Sequence, residues 1–201
     1  GHPKSKAIFP ALFSRRAKSP LGVCGLRAMN APMRLRDKVI IVTGSCTGIG
    51  KAVAKRCVEE GARGVVHGLE NDLGGQVVQA LGADKAVLHI EDLTAVGCPE
   101  RLVKLAVDTF GRLDAVVNNA GILRDRMFVT LTEDDWDQVM RVHLRGHFCL
   151  ANILGRRWRE QSKAGQAVDA RIINTTSGAG LQGSIGQSNY SAAKGGIATL
   201  T

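Results

Sequence analysis

The chain has 201 residues, of which 44% are hydrophobic and 22% charged, with 24 glycines. That length buries a core without disulfide staples, and no apolar run approaches the roughly 18 to 20 residues of a membrane span. The net charge of +9 sits at one end: residues 1–36 hold eight Lys or Arg and no acid, leaving 19 basic against 18 acidic residues elsewhere, so with only eight aromatics neither nucleic acid nor a membrane is an expected partner.

Residues 1–36, with Arg15, Arg16 and three serines, have the Arg-rich, acid-free composition of an organelle transit peptide. Two artefacts give the same picture: an expression scar, because the chain opens Gly1-His2-Pro3, or a start drawn upstream of Met29 or Met33. Disorder is expected in either case. The cytoplasm is the expected location, with a mitochondrion or other organelle the alternative if the segment is a genuine transit peptide.

From residue 37 onward the pattern alternates. Lys38 to Thr43 (KVIIVT) is a short apolar run suited to a strand buried on both faces, and it ends in a Gly-rich turn. A helix is predicted from Ile49 to Glu60, a strand from Gly64 to Gly68, a helix from Leu73 to Leu81 and a strand from Ala86 to Ile90. A helix over Glu100 to Phe110 and a strand over Leu113 to Asn118 follow. One long amphipathic helix is then predicted from a Thr132 cap, with Asp135 at the capping-box position, through Trp136, Val139, Met140, His143 and Phe148. Last come a strand from Arg171 to Thr175 and a helix barely begun at Thr201. Strict alternation with short loops predicts an α/β fold, a doubly wound parallel sheet of Rossmann type in a single domain over 37–201.

The five cysteines are scattered, without CxxC spacing, and read as reduced thiols. His143 and His147 have i, i+4 spacing but no carboxylate at a suitable step, so no metal site is expected.

Three motifs carry chemistry. Thr43-Gly44-Ser45-Cys46-Thr47-Gly48-Ile49-Gly50 follows the first strand and opens a helix, where the backbone bends sharply and unpaired N–H groups favour a pyrophosphate. Its spacing, GxxxGxG, is one residue wider than the common dinucleotide fingerprint, and a plain βα turn is the alternative. Asn118-Asn119-Ala120-Gly121 closes the fourth strand at the carboxyl edge, where ligands of doubly wound folds bind. Tyr190 and Lys194 in YSAAK lie four residues apart on one helix face, so the ammonium favours the phenolate and makes Tyr190 usable as an acid or base. Ser177, 13 residues upstream, is placed to donate to a substrate oxygen.

With TGSCTGIG, NNAG, Ser177 and YSAAK in this order over residues 37–201, the sequence resembles the short-chain dehydrogenase/reductase family. The stretches NNAGILRDRMF, VHLRGHF and RIINTTSGAGLQGSIGQSNYSAAK are similar to bacterial oxoacyl reductases and hydroxyacyl dehydrogenases and to the dehydrogenase part of peroxisomal multifunctional enzymes. The resemblance implies that Tyr190 is the proton donor or acceptor, that Lys194 lowers its pKa and binds the nicotinamide ribose, and that Ser177 orients the carbonyl. It implies NAD or NADP as cofactor, bound by Gly44, Ser45, Thr47, Gly48, Ile49, Gly50, Asn118, Ala120, Gly121, Tyr190 and Lys194. Asp92 and Leu93 match the family's pair beside the adenine. Where the family has a catalytic Asn this chain has His143, which either takes over that role or is only a packed helix residue.

The family's cofactor-selecting positions at the end of the second strand fall on Gly68 and Leu69, so neither the acid nor the base is present. Glu70 and Asp72 would repel a 2′-phosphate, which favours NAD. The implied activity is an oxidoreductase interconverting a secondary alcohol and a ketone, with 3-hydroxyacyl/3-oxoacyl thioesters of CoA or acyl carrier protein the favoured substrates. The alternatives are a steroid or small-carbonyl dehydrogenase, and an inactive dinucleotide-binding fragment or interaction protein. The family forms homo-oligomers through helices matching 132–161 and 188 onward. It also continues through a further strand, a substrate lid and a last strand past the position of Thr201, so the chain is expected to be C-terminally truncated and a poor enzyme by itself.

Overall fold

The computed structural model describes residues 33–201; the basic extension read from the sequence lies outside the described residues up to residue 32. The elements are β1 (Val39–Val42), α1 (Gly48–Glu59), β2 (Arg63–Gly68), α2 (Asn71–Leu81), β3 (Ala86–Ile90), α3 (Cys98–Phe110), β4 (Ala115–Asn118), α4 (Glu133–Met140), α5 (Gly146–Lys163), β5 (Arg171–Asn174), α6 (Ala179–Gln182) and α7 (Ser188–Leu200). The five strands form one sheet in the order β3-β2-β1-β4-β5, and every pair is parallel. The doubly wound α/β expectation is borne out.

Strand alternation builds the core. Val39 and Ile41 point to one face and pack with Leu102, Leu150, Leu154 and Trp158 from α3 and α5. Ile40 and Val42 point to the other and meet Ala54 from α1. The folded body starts ahead of the expected boundary at residue 37: Leu35 packs against this second cluster, its N–H donates to the Glu60 carbonyl at 2.9 Å, and Arg34 pairs with the Glu60 carboxylate.

The long helix differs most from expectation. The Thr132 cap forms, with its Oγ1 accepting the Asp135 N–H at 3.1 Å and donating to Asp135 Oδ2 at 2.8 Å. Between α4 and α5, however, Arg141–Arg145 is a π-helical turn. The wider turn places His143 at its centre, and beyond it His147 and Leu150 face inward while Phe148 is 51% exposed. The last helix, expected to be barely begun, already runs 13 residues, from Ser188 to Leu200.

The chain winds from β1 outward to β3 and then returns to β4, so the segments that follow the paired strands β1 and β4 leave the sheet in opposite directions. That switch point opens a crevice, and the motifs converge on it.

Candidate active site

The crevice is a cleft of about 630 Å³, lined by Gly44, Thr47, Gly48, Ile49 and Gly50 from the first turn, by Leu69 and Glu70 after β2, by Asp92 and Leu93 after β3, and by Asn119, Ala120 and Gly121 after β4. The turn is packed so tightly that only glycine fits at two points. Gly44 has φ +62, and a Cβ there would lie 2.8 Å from Ala120 Cα; a Cβ on Gly50 would lie 2.2 Å from the Gly44 carbonyl oxygen. The first turn of α1 holds no acid, and Thr47 makes no side-chain cap, so its leading N–H groups are left for a ligand. These features fit a dinucleotide pyrophosphate.

Two residues expected to bind cofactor have side chains already bonded to the scaffold. Ser45 is fully buried: its Oγ donates to Val42 O at 2.6 Å and accepts the His67 N–H at 3.0 Å, so the hydroxyl is consumed in joining the turn to β2. Asn118 is also buried, and its Nδ2 donates to Asn174 Oδ1 at 2.9 Å across β4 and β5. Its neighbour Asn119 reaches the cleft, with Nδ2 donating to the carbonyls of Thr43 at 3.0 Å and Gly44 at 3.1 Å. Thr43 Oγ1 accepts the N–H groups of Asn119 and Ala120, both at 3.0 Å, and so clamps the two sides of the switch point. Thr43 and Asn119 lie inside the two quoted motifs, but the sequence did not single them out as the residues that join the two loops.

Tyr190 and Lys194 share α7 as the spacing requires, with Lys194 Nζ 5.6 Å from the Tyr190 ring centroid. Lys194 is 3% exposed, and burial pushes its ammonium down to about 8. Its Nζ donates to Thr175 O at 2.6 Å, tying α7 to the end of β5. Ser177 stands two residues further on, half-buried at the start of the α6 turn, and its Oγ accepts the Ala179 N–H at 3.3 Å. A Cβ on Gly180 in α6 would lie 2.5 Å from the Lys194 carbonyl carbon, so α6 sits directly on α7. Asn189, which the sequence reading passed over, anchors the start of α7: its Nδ2 donates to Arg124 O and Asp135 O at 3.1 and 3.2 Å, and its Oδ1 accepts the Tyr190 N–H at 2.8 Å.

His143 occupies the π-helical turn and joins the two halves of the site. Its ring meets Tyr190 edge-on, with centroids 5.3 Å apart at 86°. A Cβ on Gly121 would lie 2.3 Å from its Cε1. Its Nε2 is 3.0 Å from Ile122 N and 2.8 Å from Ile122 O, contacts that are alternatives set by the tautomer. In either tautomer Nδ1 has no protein partner.

Burial holds His67, His143 and His147 each at about 4, with His89 adding to the effect on His67 and the Lys194 charge on the other two. The unfolded chain therefore takes up protons between pH 6.5 and 4 that the native state refuses, and stability falls as pH drops through that window. Each imidazole contributes up to roughly 3 kcal/mol. The depressed carboxyls of Glu60 and Glu91, at about 2, act only below their ordinary value of 4.5. The melting temperature is thus expected to drop between pH 7 and pH 5, before the carboxylates titrate. An unchanged melting temperature over that interval would show that these rings accept protons freely in the folded state.

The profile of the family described as short chain dehydrogenase matches residues 38–201. The chain is 42% identical over 180 residues to the peroxisomal multifunctional enzyme type 2 of Mus musculus, covering 86% of this chain and 24% of that one. It is 43% identical over 176 residues to a hydroxyacyl-CoA dehydrogenase of Mycobacterium tuberculosis, covering 83% and 55%. Among solved structures, a short chain dehydrogenase from Mycobacterium avium superposes with a TM-score of 0.79 at 48% identity, covering 83% of this chain and 62% of the other. The chain thus spans about a quarter to about half the length of these two curated relatives.

Proposed function

The chain belongs to the short-chain dehydrogenase family, and from that premise we propose that the protein interconverts a secondary alcohol and a ketone on 3-hydroxyacyl or 3-oxoacyl thioesters, with NAD as cofactor. The observation that carries the reading is the meeting of Tyr190 and Lys194 on one face of α7, joined through His143 to the glycine cleft. The substrate class rests on the hydroxyacyl-CoA dehydrogenase of Mycobacterium tuberculosis and on a 3-oxoacyl-[acyl-carrier-protein] reductase of Thermotoga maritima, 34% identical over 174 residues.

When bound, the nicotinamide supplies or accepts a hydride at the substrate carbon. In the reducing direction the Tyr190 hydroxyl gives its proton to the carbonyl oxygen, and the Lys194 ammonium beside it stabilises the phenolate left behind. Ser177 Oγ donates a hydrogen bond to the same oxygen, whose charge grows in the transition state. His143, neutral and turned to the Ile122 backbone, positions Tyr190 and the Gly121–Ile122 wall rather than exchanging protons itself.

The choice of NAD rests on Glu70. Gly68 has no side chain to meet the ribose, but the Glu70 carboxylate folds back over it, with Oε2 3.2 Å from where a Gly68 Cβ would lie and accepting the Leu69 N–H at 3.3 Å. A carboxylate there accepts from a ribose 2′-OH and repels a 2′-phosphate. The partner of the surface formed by α4, the π turn, α5 and α7, where Met140, Leu144, Phe148 and Leu200 line an open groove, is a second copy of the chain. No helix among the described residues is long and apolar enough to cross a membrane. The peroxisomal names of several relatives support an organelle over the cytoplasm.

The test is reduction of an acetoacetyl thioester by the full-length protein with NADH and with NADPH. NADH should be preferred, and both Glu70→Gln and Leu69→Arg should shift the preference towards NADPH, the second in a salt-sensitive way. Strong NADPH preference in the unaltered protein overturns the role of Glu70; turnover of steroids or simple ketones without turnover of the thioester overturns the substrate class.

A further inference from the structure

Behind the adenine end of the cleft, three side chains with three different donor atoms converge. His89 in β3, Glu91 one residue past its end and Cys98 at the first position of α3 bring a ring nitrogen, a carboxylate oxygen and a sulfur within 4.8 Å of one another. Strand alternation puts residues 89 and 91 on one face. The left-handed turn at Gly97, φ +80, swings Cys98 back beneath them. His89 Nε2 lies 2.9 Å from Glu91 Oε2, and the Cys98 sulfur lies within 4.8 Å of both side chains' donor atoms. His89 and Glu91 are half-buried and Cys98 is buried.

We propose that His89, Glu91 and Cys98 form a zinc-binding site, and that Arg101 occupies the carboxylate when the metal is away. The donor set decides the metal: thiolate with imidazole and one carboxylate suits zinc, whereas magnesium and calcium take oxygen ligands alone. Three protein ligands leave the fourth tetrahedral position to water, on the side where the guanidinium now sits. Arg101 Nε donates to Glu91 Oε2 at 3.0 Å, its NH2 group donates to Oε1, and that group also reaches Val96 O at 3.0 Å. The Arg101 side chain is half-exposed, so it leaves into solvent without disturbing the fold, and such a pair is weak in water.

Binding is a displacement. The Cys98 thiol releases its proton to solvent and gives a sulfur electron pair to zinc, His89 gives the Nε2 pair with its proton on Nδ1, and Glu91 exchanges the guanidinium for the metal. His67 stacks on His89, centroids 6.1 Å apart, and its Nε2 lies 3.0 Å from Glu91 O. It orients the ligands from behind, as outer partners do in metal sites.

Cobalt(II) tests this as a spectroscopic substitute for zinc. Titrated into the purified, reduced protein, it should give one equivalent of a tetrahedral spectrum with thiolate-to-cobalt charge transfer, bleached by zinc. Cys98→Ser should abolish the charge-transfer band, His89→Ala should weaken binding about tenfold or more, and Arg101→Ala should tighten it. The idea is overturned if the unaltered protein shows no thiolate band, if the band survives Cys98→Ser, or if Arg101→Ala leaves the affinity unchanged. Should Cys98→Ser fail to fold, His89→Ala and the surface variant Arg101→Ala decide the matter, loss in the first with gain in the second being required.

Discussion

Tyr190→Phe is expected to lower turnover of the full-length enzyme by about 10²- to 10⁴-fold, the usual worth of a positioned general acid or base, while dinucleotide affinity stays near that of the unaltered protein. The hydroxyl is the only atom removed. The ring keeps its edge contact with His143, and the Tyr190 N–H keeps its bond to Asn189, so α7 stays in place. The glycine turn proposed to hold the pyrophosphate lies on the other loop of the switch point and loses nothing. Lys194→Ala should differ in kind: it deletes the charge beside the phenol and the tie from Nζ to Thr175 O, so both turnover and cofactor binding suffer. The measurement is steady-state turnover beside equilibrium dinucleotide binding for both variants. Near-normal turnover in the Phe variant would remove Tyr190 from the mechanism.

Gly50→Ala is expected to abolish dinucleotide binding and to destabilise the fold by about 1–3 kcal/mol, the usual penalty for forcing an extra carbon into a packed site. A drop in melting temperature of roughly 2 to 12 °C follows for a domain of this size. The new methyl would stand 2.2 Å from the Gly44 carbonyl oxygen and 2.6 Å from Asn119 Nδ2. Neither can retreat easily, because Gly44 is wedged against Ala120 Cα and Asn119 is fixed by its bonds to the Thr43 and Gly44 carbonyls. Gly48→Ala is the matched control. Nothing lies within 4 Å of a Cβ there, so its penalty is confined to backbone strain at φ +54. Equal melting temperatures for the two variants would mean that the turn yields where the packing says it cannot.

Much of this architecture was legible without coordinates. Short buried strands and helices each carry a local signature, and β3 was placed to the residue, from Ala86 to Ile90. The Thr132–Asp135 cap, the glycine turn and the Tyr190–Lys194 spacing are likewise local patterns, because each depends on neighbours within a few positions along the chain.

What the sequence did not show lies in contacts between distant parts of the chain. Ser45 Oγ accepts the His67 N–H and Asn118 Nδ2 donates to Asn174 Oδ1, partners to which nothing in the sequence points. Phe148 was grouped with Val139 and His143 on one amphipathic helix, but nine residues of regular helix set it opposite Val139, and it is exposed. Asn189 and Thr43 matter through bonds to residues 54 and 76 positions away, which no spacing rule contains. His89, Glu91 and Cys98 are likewise brought together by the fold, with the Gly97 turn leading the chain back to them, and their order in the sequence shows no pattern. The sequence by itself determined the fold class, the order of elements and the spacing that sets Tyr190 and Lys194 together on one helix, since these follow from propensity and periodicity along the chain. Only the tertiary structure decided which polar groups are free to meet a ligand, because that depends on which hydrogen bonds distant parts of the chain have already taken.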